Sequence, residues 1–131
     1  MIQLEKIKLA HSKVKSGADF PVYVQNLIKI GVTKYDTFVS DGHALYFEGN
    51  DYQIQSEPKY ALLDIANTAN QEKFRNYLNI HQQGQTDYLT FCRHSAETGV
   101  EKWTVDMEHM TCTYYDKVGR KMLEEKIPKP K

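Results

Sequence analysis

The 131-residue sequence predicts an α+β fold of two similar helix–helix–strand–strand(–strand) repeats. The repeats are expected to pack about a pseudo-twofold axis, with antiparallel hairpins covered by helices. Three observations carry this reading. Apolar residues recur at helical spacing between capping and stop residues. Turn signals such as Asp41-Gly42 separate runs rich in β-branched and aromatic residues. The whole pattern then returns at a fixed offset.

A first helix is expected over about residues 2–16, where Leu4, Ile7 and Val14 share a stripe with His11, and Gly17 is its stop. A second starts at Asp19, a capping residue, with Pro21 in a first turn that needs no N–H from it. Phe20, Tyr23, Val24, Leu27 and Ile28 form its stripe and Gly31 ends it. Val32–Ser40 reads as a strand, Asp41-Gly42 as a hairpin turn, and Ala44–Glu48 as the return. Gly49-Asn50-Asp51 turns into Tyr52–Ser56. The short apolar run Tyr60–Ala66 is assigned to a strand. A third helix fits Ala69–Gln83, capped by Asn67 or Thr68 and stopped by Gly84. A fourth runs from Asp87 to Gly99. Strands follow over Val100–Met107, Thr111–Asp116 and about Arg120–Ile127. The Lys- and Pro-containing end, 126–131, is expected to fray.

A shift of 68 places Asp19 on Asp87, Gly31 on Gly99, Val32 on Val100, Lys34 on Lys102 and Tyr46 on Tyr114. Aromatic residues fall on aromatic residues: Phe20 on Tyr88, Tyr23 on Phe91, Tyr35 on Trp103, Phe47 on Tyr115. A shift of 70 brings Leu4, Ile7 and His11 onto Phe74, Tyr77 and His81, with a loop two residues shorter in the second half. Half a chain is too small to bury a good core alone. One domain over 1–131, with repeats of about 1–66 and 67–128, is the expected organisation.

Seventeen Lys plus Arg balance seventeen Asp plus Glu, which removes the electrostatic case for a nucleic-acid partner. No apolar run reaches the roughly 20 residues of a membrane helix. The opening segment carries Glu5, Lys6 and Lys8, unlike the core of a signal peptide. The expected compartment is the cytoplasm, with Cys92 and Cys112 reduced.

His11 and His81 stand at matching places on apolar stripes, so they are candidates for a paired site near the axis, against the simpler role of packed helix residues. His81 near the end of its helix also meets the negative end of the dipole, which would raise its affinity for a proton. Cys92, His94, His109 and Cys112 do not form a zinc-knuckle spacing, and the cysteines align with Val24 and Ala44 of the other repeat. They read as small core residues, and neither metal nor cofactor is expected. No nucleophile elbow, phosphate loop or dinucleotide fingerprint occurs. Asp19 and Asp87 read as caps. Asp106 shares a strand face with Lys102 and Thr104, opposite Trp103, and replaces Phe38 of the first repeat, an asymmetry that makes it a binding candidate. Trp103 and Tyr114 are candidate apolar walls, within an aromatic content of 11%.

The stretch His81-Gln-Gln-Gly-Gln-Thr-Asp-Tyr88, continuing through Phe91-Cys92, Gly99-Val100-Glu101-Lys102-Trp103-Thr104-Val105-Asp106 and Thr113-Tyr114-Tyr115-Asp116, resembles a bacterial family of unknown function. Some of its members are prophage-encoded and loosely labelled phage envelope proteins. The resemblance implies a small α+β fold of two repeats and no established activity.

Two functional classes remain. One is a non-enzymatic binding or accessory module of prophage type, with a protein or small-molecule partner. The other is a small enzyme or small-molecule sensor with its site at the junction of the repeats. A flat exposed aromatic patch favours the first class; a deep, closed pocket holding His81 with a perturbed carboxylate favours the second.

Overall fold

A computed structural model describes residues 2–15 and 17–128. Its helices are α1 (Leu4–His11), α2 (Phe20–Ile30), α3 (Gln71–Gln82) and α4 (Tyr88–Glu97). Its strands are β1 (Lys34–Phe38), β2 (Ala44–Glu48), β3 (Tyr52–Gln55), β4 (Lys102–Asp106), β5 (Thr111–Tyr115) and β6 (Lys121–Lys126). The helix–helix–strands pattern therefore occurs twice. Among the described residues the strands form one antiparallel sheet in the order β3-β2-β1-β4-β5-β6.

The halves join through β1 and β4. Their register is Lys34↔Asp106, Tyr35↔Val105, Asp36↔Thr104, Thr37↔Trp103 and Phe38↔Lys102. Moving along the chain by the repeat offset of 68 converts Tyr35↔Val105 into Trp103↔Thr37, a pair of the same ladder. The register is thus its own image, and a pseudo-twofold axis crosses the sheet at Asp36 and Thr104.

Alternation then sorts the side chains. Tyr35, Thr37, Ala44, Tyr46, Trp103, Val105, Cys112 and Tyr114 are buried on one face. Both helix pairs cover that face: Tyr23 of α2 meets Tyr35 edge-on, Phe91 of α4 meets Trp103, and Phe74 of α3 meets Tyr114. The other face carries Asp36, Phe38, Lys102, Thr104 and Asp106, all half-buried.

The helix ends repeat in detail. Gly31 and Gly99 have φ of +116° and +92°, a region open to glycine at little cost. The amide after each closes the helix in the same way: Val32 N–H donates to Leu27 at 3.0 Å and Val100 N–H to Ser95 at 2.9 Å.

Several expectations are corrected. The first helix is shorter than 2–16: it ends at His11, and Gly17 belongs to a 3₁₀ turn, Gly17–Asp19, instead of acting as its stop. Asp19 does not cap α2 with its side chain, because its carboxylate accepts the Lys15 N–H at 2.8 Å, whereas Asp87 does cap α4, accepting from Thr90 at 2.8 Å. Asn70, not Asn67 or Thr68, caps α3, accepting from Lys73 at 3.0 Å. Ile28 is exposed, so the α2 stripe is narrower than its spacing suggests. Tyr60–Ala66 is not a strand. Its amides are taken singly, Tyr60 and Leu63 by carbonyls of the β1–β2 turn and Ala66 by the end of α4, so no ladder forms. Of the end expected to fray, residues 129–131 lie outside the described residues, while Lys126 closes β6.

Residues 12–19 join α1 to α2 and residues 83–87 join α3 to α4, a difference of three positions instead of two. The first helices therefore match at 71. At that offset buried Ile7 and Ala10 fall on buried Leu78 and His81, and His11 falls on Gln82.

Candidate functional site

A cavity of about 80 Å³ opens between the helices and the covered face of the sheet. Its lining comes in repeat-related pairs: Phe20 and Tyr88, Tyr23 and Phe91, Tyr35 and Trp103, Tyr46 and Tyr114. All four pairs obey the offset of 68, so the cavity straddles the pseudo-twofold axis. His11 and Gln82 add a fifth pair at 71. The reason is geometric. An antiparallel sheet joined at β1 and β4 keeps its helix pairs on either side of the axis, and large aromatic rings projecting from both leave space between them.

The pairs are not chemically equal, and the polar groups break the symmetry. His81 stacks on Phe91, with centroids 4.3 Å apart and planes 9° from parallel. Its Nδ1 lies 3.1 Å from the Thr86 carbonyl. A carbonyl only accepts, so Nδ1 carries the proton and Nε2 keeps its lone pair. Burial lowers the pKa of His81, against the raising expected from the helix end. Desolvation of the ring outweighs a dipole effect that is worth only about 0.3–1 kcal/mol at exposed sites. His11 touches Tyr23 and Tyr88 edge-on, and burial, then the nearby Lys59 charge, lowers its pKa to about 4. Both imidazoles are therefore neutral near pH 7.

Two further ionisable groups reach the cavity. Lys59 follows Pro58 in the loop after β3, where its N–H donates to the Asp41 carbonyl at 2.7 Å. Its ammonium stands 6.0 Å from the Tyr88 ring centre, and burial lowers its pKa. Glu125 of β6 accepts from Gln82 Nε2 at 2.8 Å, and burial raises its pKa. Burial also pushes the Cys112 thiol up to about 12 and the hydroxyls of Tyr35, Tyr88 and Tyr114 well above their usual value. The interior is an aromatic, largely uncharged chamber.

The structure brings His11, His81, Trp103 and Tyr114 to this one cavity. It separates Asp106 from them. Asp106 lies on the opposite face, where its Oδ1 accepts the amides of Glu108 and His109 and its Oδ2 meets His109 Nδ1 at 2.9 Å. Burial tends to raise its pKa, but these bonds prevail and lower it. The residue that breaks the repeat symmetry ties down the β4–β5 turn. Asp106, Glu108 and His109 also bring ligand-type atoms within 4.8 Å of one another; this exposed group includes no cysteine. Cys92 and Cys112 are free thiols inside the core.

Tyr35, Thr37, Lys59 and Glu125 were not singled out from the sequence. Tyr35 was accessible as the repeat mate of Trp103, and Glu125 from its alternation with Leu123 and Ile127. Lys59 carries no local signal, since an irregular loop delivers it.

No described helix is long and apolar enough to cross a membrane. No curated protein matches the chain. The family model described as Protein of unknown function (DUF1398) matches residues 8–126, nearly the full length, and the chain belongs to that family.

Proposed function

We propose that the protein is a small-molecule-binding module whose ligand enters the cavity between the two repeats, and that it acts by binding, not by catalysis. The observation that carries this is the cavity itself. It is concave, aromatic, placed on the axis, and holds His81 together with a carboxyl group of raised pKa, Glu125. This arrangement favours the second of the two classes, and within it a small-molecule sensor that binds its ligand. Against catalysis, the lining offers no activated nucleophile: its thiol, Cys112, is held protonated by burial. The paired lining supports an origin by internal duplication and a single domain over 1–131. The family resemblance supports an accessory role of prophage type.

Trp103 supplies the test, because it is the single tryptophan and lines the cavity. A thermal-shift screen of metabolites should yield compounds that raise the melting temperature and change Trp103 emission. A ligand at a hundred times its Kd adds about 2.7 kcal/mol of stability. Thr37→Leu fills the cavity floor and should abolish both effects, while Thr37→Val should not. Compounds that stabilise Thr37→Leu equally, or a screen with none, would overturn the reading.

A further inference from the structure

From the unanswered polar groups of the lining, and resting on the binding reading above, we infer that the ligand is a small planar aromatic carboxylate, its ring held among the aromatic side chains and its carboxylate beside Lys59.

The aromatic half of the inference comes from shape and chemistry. Tyr23, Tyr35, Tyr46, Phe91, Trp103 and Tyr114 present ring faces and edges at centroid separations of 5.4 Å (Tyr35 to Tyr46) to 6.2 Å (Tyr23 to Tyr35) around the axis. A flat ring gains both offset-stacked and edge-to-face contacts in such a cage.

The charge comes from what the cage leaves unmatched. The Tyr35 hydroxyl and the Trp103 indole N–H have no hydrogen-bond acceptor among the described residues, and both residues line the cavity without their polar atoms being sealed from it. A donor that faces a cavity is satisfied by whatever fills it, so each can be met by a ligand atom or a water there. Lys59 likewise has no carboxylate within ion-pair distance among the described residues. Glu125, the acidic side chain of the lining, is already held by Gln82. The unmatched groups are thus mainly donors, and one is a cation. An acceptor-rich anion fits them.

Aromatic cages also take cations. Here Lys59 repels one, and the Glu125 carboxylate is engaged by Gln82. A single lysine without an arginine fork suits one carboxylate better than a phosphate.

The experiment is a titration of Trp103 emission with benzoate, its uncharged counterpart benzamide, and non-aromatic cyclohexanecarboxylate, on the wild-type chain and on Lys59→Met. Lys59 lies in a loop outside the apolar core and makes no ion pair among the described residues, so the variant should melt as the wild type does. Benzoate is expected to bind saturably, benzamide and cyclohexanecarboxylate at least about tenfold more weakly. Lys59→Met should lose about tenfold for benzoate and nothing for benzamide. Benzamide matching benzoate, cyclohexanecarboxylate matching it, or an unchanged benzoate affinity in Lys59→Met would overturn the inference. So would the absence of benzoate binding. If uncharged compounds from the thermal screen still move Trp103 emission, the carboxylate inference alone falls; if nothing does, the binding reading falls with it.

Discussion

Thr104 Oγ1 donates to Asp36 Oδ1 at 2.5 Å across the β1–β4 ladder, and the two residues stand 68 positions apart. That separation is the repeat offset. The bond therefore joins one position of the fold to its own repeat mate, at the point where the axis crosses the sheet. A twofold site occupied by identical residues would place like against like; here Thr104 puts a donor opposite the Asp36 acceptor.

Removing this bond should weaken the joint between the halves. Thr104→Val is expected to cost about 1 kcal/mol and lower the melting temperature by a few degrees. The double variant Thr104→Val with Asp36→Ala should cost less than the sum of the singles, since both remove the same bond. Urea titrations of the four chains give the coupling directly. Strict additivity would mean the bond contributes nothing.

The two glycine stops should respond unequally to alanine. Both hold positive φ, which costs a non-glycine residue roughly 1 kcal/mol or more. A Cβ at Gly31 meets the Ile2 side chain at 3.3 Å, which can shift. A Cβ at Gly99 meets the Ala69 Cα at 2.8 Å, a backbone atom. Gly99→Ala should therefore be the more destabilising by at least about 1 kcal/mol, measured as the difference in unfolding free energy.

Acid should unfold the protein partly through its histidines. Burial lowers the pKa of His11 to about 4 and that of His81 below its ordinary 6.5. The unfolded chain then binds more protons than the native one between about pH 4 and 6.5, so stability is full above that window and falls as pH drops through it. Glu125 acts in the other direction, its raised pKa costing stability as pH rises above the usual carboxylate range. The groups facing His11 are Lys59, Tyr23 and Tyr88. His11→Phe keeps its ring contacts and removes the titration, so its melting temperature should vary less between pH 4 and 6.5 than the wild type's. An identical pH profile would show that His11 stays accessible to protons in the folded chain.

Much of the fold was legible in local patterns. The helix pairs, the Asp87 cap, the stops at Gly31 and Gly99 and the β1–β2 and β4–β5 hairpins follow from residue chemistry and short-range spacing, which act within a few positions along the chain. The alternation in Trp103-Thr104-Val105-Asp106-Met107 set Asp106 on the face opposite Trp103. Burial is the physical cause, since one face of this strand packs under helices and the other meets solvent.

The sequence by itself determined that the chain is two similar units and which side of each strand is apolar. Only the tertiary structure decided how the units meet. Two like hairpins offer several edges for pairing, and period-two alternation is satisfied by any of them. The choice of β1 against β4 depends on burying both apolar faces under both helix pairs at once, a long-range condition that no local window contains. That choice creates the cavity, gathers His11, His81, Trp103 and Tyr114 around it, and brings in Lys59 from a loop whose hydrogen bonds go to a distant turn. Asp106 was separated from them by the same event: once the halves close on one face, a residue of the other face is left outside the site.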